Sequence, residues 1–368
     1  MKIIKYIGLD VHKNSISIST ADEGRDAEVR YYGKIGNDVD QLMKVFRKFI
    51  SKGFELNCVY EAGCCGYHLY RFLTGNGVKC VVVAPSKIPR KSGDHLKNDT
   101  RDSITLARLH RAGELTEVYV PAEEDEALRD LVRAREDAQN AHKKAKQQLA
   151  AFLLRYHIVF SGKSRWSKAY FNWLTTISMK HPGQQITLQD YIDTIHGCND
   201  RVKMLTEQIR QLSEQSRLYP LIQALQAMRG ISLIVAATLA SELGDISRFE
   251  HPEDLMGYLG LRPSENSSGD KQNRGSITKA GNGHVRKALI ASAQAYRLPA
   301  RKTREIQKRQ EGVPKRIQDI AWKAQIRLCG RYRHLTGRGK NTNVAKTAVA
   351  RELSGFVWAI AKELPLAA

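Results

Sequence analysis

The sequence predicts an α/β amino-terminal domain followed by mainly helical domains. Three observations support this fold class. In residues 1–120, short runs rich in β-branched residues alternate with segments whose apolar residues have helical spacing. Residues 121–218 contain two long segments with apolar residues at heptad spacing. Residues 219–368 contain predicted helices separated by glycines, followed by a basic tail. We predict three domains with these boundaries.

The first domain is predicted to have the order β-β-β-α-β-α-β with a helix after it. Three alternating runs, KIIKYIGLDV, SISISTADE and EVRYYGKIG, indicate an antiparallel meander. The next segment has apolar residues at helical spacing and Gly53 as its stop. Strands are then predicted in LNCVYEAG and VKCVVVAP, and helices in YHLYRFLTGNG and NDTRDSITLARLHRAG.

Four carboxylates lie at the ends of these elements. Asp10 ends the first strand, Glu61 ends the fourth, and Asp99 and Asp102 are one helical turn apart. If the two strands are neighbours, the four side chains converge. Clustered carboxylates need neutralising cations, and oxygen ligands suit Mg²⁺ or Mn²⁺. Apolar strands that end in acid are typical of ribonuclease-H-like nuclease cores, in which two such ions clamp a phosphodiester.

Each acid also has an ordinary structural explanation. A strand-end Asp is commonly a turn former, and Asp99 and Asp102 can serve as a helix N-cap and a partner of the helix dipole. Asp94 competes for the third place in the cluster. His12 and His68 are expected nearby, as supporting or surface residues and not as metal ligands.

Residues 121–218 are predicted to form a helical coiled-coil arm with an insert at its tip. Residues at heptad-like spacing are predicted to lie at the interface between the two helices, which we call the seam. In the first helix these are Leu131, Ala134, Ala138, Ala141, Ala145 and Phe152, and in the second Leu188, Ile195, Cys198, Val202, Leu205, Ile209 and Leu212. In the insert, Trp166, Tyr170 and Trp173 can either stack on bases or pack the tip.

The last domain is predicted to open with a helix–hairpin–helix turning at Gly230 and ending at Gly244, a shape that can hold a DNA phosphate. A loop follows that contains two adjacent serines, Ser267 and Ser268, and several basic residues. The final segment, ELSGFVWAIAKEL, is predicted to be an amphipathic helix packed as core.

The charge balance favours an anionic partner. The chain of 368 residues has a formal charge of +21, and residues 271–340 hold 19 Lys and Arg against three acids. Such a concentration favours a phosphate-binding face over a merely solvated charge run. No apolar run reaches membrane-spanning length, no signal peptide is evident, and the six cysteines form no CxxC pair. We expect a cytoplasmic protein with reduced thiols and no membrane partner.

Several segments in this order resemble the insertion sequence 110 / 1111 family of transposases, which includes the Piv-type DNA invertases. They are IGLDVHK, YEAGCCGYHLYRFL, LKNDTRDSITLARL, AMRGISLIVAATLASELGD and YLGLRPSENSSGDKQNRGSITKAGNGHVRKAL. The resemblance covers about residues 5–300. It implies a RuvC-like DEDD domain, a second domain with a nucleophilic serine, and guidance by a structured bridge RNA that pairs with target and donor DNA.

Carried over position by position, the resemblance implies a DEDD set of Asp10, Glu61, Asp99 and Asp102 that binds Mg²⁺ or Mn²⁺. It implies Ser268 as nucleophile, with Ser267 adjacent. The residues expected at phosphates are Lys271, Arg274, Lys279, His284, Arg286 and Lys287. A homodimer or a tetramer, in a bacterial or archaeal cytoplasm, is also implied.

Two other functions are compatible with the residues. A ribonuclease-H-like nuclease could use metal-activated water, with Ser268 only a turn hydroxyl. A non-enzymatic nucleic-acid binder would carry its acids for structural reasons and bind in a salt-sensitive manner. A trapped protein–DNA adduct distinguishes the serine mechanism from both.

Overall fold

The computed structural model describes residues 3–24, 26–63, 65–89, 98–267 and 273–364. The chain divides into two compact units, Met1–Val120 and Pro121–Ala368. We call them the amino-terminal and the carboxy-terminal unit. Within the described ranges, no helix combines the length and the apolar character needed to cross a membrane.

The amino-terminal unit follows the predicted order of strands and helices. Its elements are β1 (Ile4–Val11), β2 (Ser15–Asp22), β3 (Val29–Gly36), α1 (Val39–Ile50), β4 (Glu55–Glu61), α2 (His68–Gly75), β5 (Lys79–Val83) and α3 (Asp99–Arg111). The five strands form one mixed sheet in the order β3-β2-β1-β4-β5. The pairs β1–β2 and β2–β3 are antiparallel, while β1–β4 and β4–β5 are parallel. The predicted meander and the predicted adjacency of β1 and β4 are confirmed.

Helices cover both faces of this sheet because successive strand residues point to opposite sides. Ile7 and Leu9 of β1 are fully buried in a core shared with Leu42 and Phe46 of α1 and with Leu73 of α2. The other face carries small residues, and α3 packs against β1 and β2 there. The acidic start of α3 therefore lies on the small-residue face.

The carboxy-terminal unit is almost entirely helical. Its elements are α4 (Glu123–Arg155), α5 (Lys168–Leu174), α6 (Pro182–Gln215), α7 (Tyr219–Gln226), α8 (Leu233–Leu243), α9 (Pro252–Tyr258), β6 (Pro263–Glu265), β7 (Arg274–Ile277), α10 (Gly283–Ala293), α11 (Arg304–Gln310), α12 (Lys315–Gly337) and α13 (Thr342–Lys362). α7, α8, α10, α12 and α13 share one large core. Leu353, Val357 and Ile360 of α13 are buried in it, as predicted for the final helix.

The long helices α4 and α6 pack along each other and form the predicted arm. Ala138 lies against Val202 and Leu205 in the middle of the arm. The predicted seam is wrong at Ala141 and at Leu212, which are exposed, because His142 and Ser213 take the buried positions instead. A straight helix of 3.6 residues per turn drifts from a strict heptad, so the buried position moves by one residue and falls on a polar side chain.

The insert aromatics pack the tip of the arm. The rings of Tyr170 and Trp166 have centroids 4.9 Å apart, and those of Tyr170 and Phe160 lie 5.1 Å apart edge to face. Tyr170 is almost fully buried, with Leu149 of α4 and Leu188 of α6 in the same cluster. The packing interpretation is therefore confirmed for Tyr170, whose ring is not available to a base.

A glycine turn connects α7 and α8, as predicted for the helix–hairpin–helix. Gly230 has a φ of +81°, in the left-handed region that favours glycine. A Cβ there would lie 2.5 Å from the carbonyl oxygen of Ser292. The turn therefore sits directly against the end of α10, and only glycine fits.

Candidate active site

A row of polar side chains crosses the small-residue face of the sheet. Asp10 of β1 is the antiparallel partner of Ser17, and Ser17 is the partner of Lys34 on β3. Paired residues on antiparallel strands present their side chains on the same face. On the other side of β1, Leu9 pairs with Tyr60, so Glu61 is next to Asp10 at the end of the parallel strand β4.

Helix α3 packs unusually closely on this face because the residues beneath it are small. A Cβ on Gly8 would lie 2.5 Å from the backbone nitrogen of Ala107 and nearer still to the carbonyl oxygen of Ser103. The hydroxyls of Ser19 and Ser103 are 2.8 Å apart and hydrogen-bonded. Asn98 caps the helix by accepting from the Thr100 amide at 3.1 Å. These contacts fix the first turn of α3 beside the end of β1.

Three side chains meet at that point, and we call them the acid–histidine cluster: Asp10, His12 and Asp99. The Nε2 atom of His12 is 3.1 Å from Oδ2 of Asp10 and 3.4 Å from Oδ1 of Asp99. One potential ligand atom from each residue lies within 4.8 Å of the other two. Lys34 donates to the other Asp99 oxygen, Oδ2, at 3.0 Å. The cluster therefore concentrates two carboxylates and one imidazole.

The electrostatic environments of the two carboxylates differ. Burial raises the pKa of Asp10, with His12 opposing that shift and the charges of Asp102 and Asp99 adding to it. The hydrogen bond from Lys34 lowers the pKa of Asp99, which is half-buried. Asp10 is thus a buried carboxylate surrounded by further acids, where a cation would be stabilised.

The predicted acids occupy different positions around this cluster. Asp10 and Asp99 belong to it, Asp102 acts on Asp10 through its charge, and Glu61 ends the neighbouring strand. Asp94 lies outside the described residues. His68 is exposed at the start of α2. His12, which we expected to be a supporting or surface residue, is exposed, and its Nε2 atom is at hydrogen-bonding distance from Oδ2 of Asp10. Its position two residues after Asp10 is the sequence signal for this placement.

The serine loop belongs to a hairpin of the carboxy-terminal unit. β6 and β7 pair antiparallel, with Glu265 opposite Arg274. Ser267 donates to Oε1 of Glu265 at 3.0 Å and accepts from the amide of Asn273 at 3.2 Å. Arg274 is exposed and pairs with Glu265 at 3.6 Å. Ser268 and Lys271 lie outside the described residues.

The segment after the hairpin makes a tight backbone junction. Gly260 and Gly281 both have positive φ, and a Cβ on either would overlap backbone atoms of the other segment, at Ala280 and Tyr258 respectively. Arg286 braces this junction by donating to the carbonyl oxygens of Leu259 and Ala280, both at 2.9 Å. Lys279 has a φ of +57° and is exposed. Arg286 therefore supports the junction that presents Lys279 to solvent.

Two acids absent from the sequence prediction connect α4 and α8 to the start of α10. Glu136 of α4 pairs with Nδ1 of His284 at 2.6 Å and also with Lys287. Glu242 is nearly fully buried, accepts from Arg133 at 2.6 and 2.9 Å, and accepts from Asn282 at 2.8 Å. Sequence reasoning missed both because an isolated acid within a helix carries no local signal of its distant partner.

Comparisons with known proteins match both units. The profile described as "Transposase IS116/IS110/IS902 family" matches residues 222–309, and a DEDD transposase profile matches residues 7–158. The chain is 45% identical to y4qE of Sinorhizobium fredii, classed by its name with the transposases, over 97% of this chain and 88% of that protein. This chain belongs to the IS110/IS116 family of transposases.

Two less similar transposases also match along most of the chain. The transposase for insertion sequence element IS1533 of Leptospira borgpetersenii is 30% identical over 92% of this chain and 99% of its own length. The transposase for IS1111A of Coxiella burnetii is 23% identical over 80% of this chain and 78% of its own. Transposases of this family are enzymes that cleave and rejoin DNA, which favours the enzymatic interpretations over the purely binding one.

The DEDD domain of this transposase suggests use of a divalent metal ion, and the acid–histidine cluster fits one. Its donors are carboxylate oxygens and one imidazole nitrogen, all suitable for a divalent cation. The burial that raises the pKa of Asp10, beside two other acids, also creates a demand for positive charge. Asp10 and Asp99 would hold the ion directly.

Proposed function

We propose that this transposase cleaves and rejoins DNA using Mg²⁺ or Mn²⁺ held by Asp10, Glu61, Asp99 and Asp102, and that Ser268 is its nucleophile. The observation that supports the metal most directly is the convergence of Asp10 and Asp99 on one point within 4.8 Å. The bound ions would polarise the scissile phosphate and stabilise the departing oxygen.

The serine reaction conserves the energy of the DNA backbone. The Oγ atom of Ser268 attacks phosphorus and forms a 5′-phosphoserine bond while the bond from phosphorus to the 3′ oxygen breaks. The hydroxyl proton ends on the departing 3′ oxygen, which leaves as a free 3′-OH. Reversal by another 3′-OH rejoins the strands without ATP, because the phosphoserine bond has kept the energy of the phosphodiester.

The hydrogen bonds of Ser267 support Ser268 as the nucleophile of the adjacent pair. The Ser267 hydroxyl donates to Glu265 and accepts from Asn273, so it is already part of the hairpin. A nucleophile must instead present its hydroxyl to a phosphate. Spacing from the Gly260–Pro263 segment in the family also assigns Ser268.

The test is to trap a protein–DNA adduct on a substrate that carries the element junction. Ser268→Ala should abolish the adduct and cleavage while DNA binding survives, because only the attacking oxygen is lost. Ser267→Ala is the matched control and should retain adduct formation. The experiment measures covalent DNA on a denaturing gel and binding by fluorescence anisotropy.

The other outcomes are equally decisive. Cleavage by Ser268→Ala at the wild-type rate, with no adduct in either protein, would establish the water-using nuclease instead. An adduct that disappears in Ser267→Ala and persists in Ser268→Ala would move the nucleophile by one residue.

We further propose that the nucleic-acid partners are donor DNA, target DNA and a structured guide RNA. The support is the basic excess of residues 271–340 together with the family resemblance. The residues assigned to phosphates are Lys271, Arg274, Lys279, His284, Arg286 and Lys287. RNA that copurifies with the protein should derive from sequence flanking the gene, and sequencing it checks this.

We also propose that the working enzyme is a homodimer or a tetramer assembled through the arm. The α4–α6 pair supplies an extended helical surface for this purpose. Light scattering of the protein with and without nucleic acid measures the state, and a monomer under both conditions would contradict it.

A further inference from the structure

We propose that His12 is itself a metal ligand, and that with Asp10 and Asp99 it forms a three-donor site that prefers Mn²⁺ to Mg²⁺. This inference rests on the proposed metal-dependent function and specifies its ion. It changes the expected all-oxygen site into a mixed site with one nitrogen donor.

The two distances from His12 to the carboxylates match those between neighbouring ligands of one ion. Ligands at about 2.1 Å from an octahedral ion and at right angles to each other are about 3 Å apart. The Nε2 atom of His12 lies 3.1 Å from Asp10 Oδ2 and 3.4 Å from Asp99 Oδ1. A single His12 nitrogen therefore faces both carboxylates, as required if all three surround one cation.

Neighbouring groups define which oxygen of Asp99 the cation takes. Lys34 donates to Oδ2 of Asp99, so Oδ1 is the oxygen turned toward His12. The ammonium group thus orients the carboxylate without occupying the shared point between Asp10 and His12. Lys34 is in this sense a positioning residue for the site.

Ser17 is a second polar residue beside Asp10, and the described residues leave its hydroxyl without a hydrogen bond. Ser17, the strand partner of Asp10, is only 1% exposed, and its hydroxyl makes no hydrogen bond with the described part of the chain. A buried hydroxyl without a partner is costly.

The nitrogen donor determines the preference among ions. Mg²⁺ strongly favours oxygen ligands, whereas imidazole is a better ligand for transition metals, of which Mn²⁺ also accepts carboxylates readily. The three donors His12, Asp10 and Asp99 therefore favour Mn²⁺ over Mg²⁺.

The test uses the purified full-length protein and Mn²⁺ itself. Pulsed electron paramagnetic resonance should detect a directly bound imidazole nitrogen in the wild type and lose it in His12→Ala. Titration should show Mn²⁺ affinity reduced at least about tenfold in His12→Ala, with much less change in Mg²⁺ affinity. His12→Gln, which keeps a polar side chain of similar reach, should also lose the nitrogen signal.

His334→Ala is the matched control, because it removes another exposed histidine, one that lies beside Arg327 and Arg331 on α12. It should retain both the signal and the affinity. If His12→Ala keeps wild-type Mn²⁺ affinity while Asp10→Asn loses it, the histidine proposal is wrong and the metal function stands. If Asp10→Asn also keeps metal binding and cleavage, the proposed metal function itself is wrong.

Discussion

The surroundings of Asp10 are unfavourable for a carboxylate. An acid whose role was only structural would not be expected there. It is 9% exposed, burial raises its pKa, and the charges of Asp99 and Asp102 act in the same direction. Stability alone would favour a neutral side chain at this position. The free-energy cost of keeping a negative charge buried at Asp10 is explained if the carboxylate holds a cation during the reaction.

Asp10→Asn should therefore separate activity from stability. We expect metal affinity to fall about 10–100-fold or more, and metal-dependent cleavage to be lost, because amide oxygens bind divalent ions weakly. The melting temperature without metal should stay the same or rise, since a repelled buried charge is removed. Calorimetry and cleavage assays measure both, and cleavage in Mg²⁺ or Mn²⁺ at the wild-type rate would contradict the assignment.

His110 gives the amino-terminal unit a predictable sensitivity to acid. Burial lowers the pKa of His110 to about 4, and its Nε2 lies 2.9 Å from Oδ1 of Asn57. The unfolded chain binds a proton near pH 6.5, so this stability is present above that pH and is lost as the pH falls toward 4.

His110→Gln should remove part of that pH dependence. Between pH 7 and pH 4.5 we expect wild-type unfolding free energy to decrease by about 1–3 kcal/mol more than that of the variant, with allowance for the partly exposed ring. Urea unfolding at both pH values measures this. An equal decrease in unfolding free energy in both proteins would show that groups other than His110 determine the pH dependence of stability.

Sequence pattern predicted that the four acids lie at the ends of their elements, and it placed the neighbouring histidine among the supporting or surface residues. Asp10 and Glu61 could be assigned to strand ends because the alternation of apolar and polar residues shows where each strand ends. Asp99 and Asp102 could be assigned to one face of a helix because one helical turn separates them. His12 follows the end of β1, at Val11, where alternation no longer fixes the direction of a side chain. Lys34 was missed because its role depends on β3 pairing with β2 in a particular register.

At the scale of elements, the docking of α3 on β1 determines the geometry of the acid–histidine cluster. Gly8 permits that docking, and the sequence could not reveal this because the need for glycine arises only when helix and strand meet. The arm shows the same limit. Its two helices were predictable from apolar spacing, but burial of His142 and Ser213 follows from how α4 and α6 pack.

Gly8→Ala should displace α3 and disturb the cluster. We expect a loss of about 1–3 kcal/mol in unfolding free energy from overpacking, together with weaker Mn²⁺ binding. Gly36→Ala is the matched control, because a Cβ there would have ordinary contacts at 3.6 Å with Gln41. Chemical denaturation and metal titration measure the two effects. Wild-type behaviour of Gly8→Ala would show that α3 can move without consequence.

At the scale of the whole molecule, the formal charge of +21 makes nucleic-acid binding strongly dependent on salt. The composition predicted this salt dependence. It could not show which Lys and Arg side chains are already paired with acidic residues of the protein. Lys287 is bound to Glu136, whereas Lys279 is exposed after the tight glycine junction. Their contributions to phosphate binding should therefore differ.

Lys279→Ala should reduce the slope of log affinity against log salt by about 0.9, the value for one phosphate contact on duplex DNA. Lys287→Ala is the comparison and should change the slope much less, because its ammonium group is engaged within the protein. Binding titrations between low and moderate salt measure the slopes. Equal changes would mean that Glu136 releases Lys287 when DNA binds.

The contacts of Asp99 with Lys34 and His12 have one further consequence, for the order of assembly. The ammonium group of Lys34 already balances part of the negative charge at the end of β1 before any ion arrives. We therefore expect the amino-terminal unit to fold without the ion and to bind it afterwards. A newly made enzyme would then remain intact yet inert until the surrounding supply of free divalent cation permits it to cut.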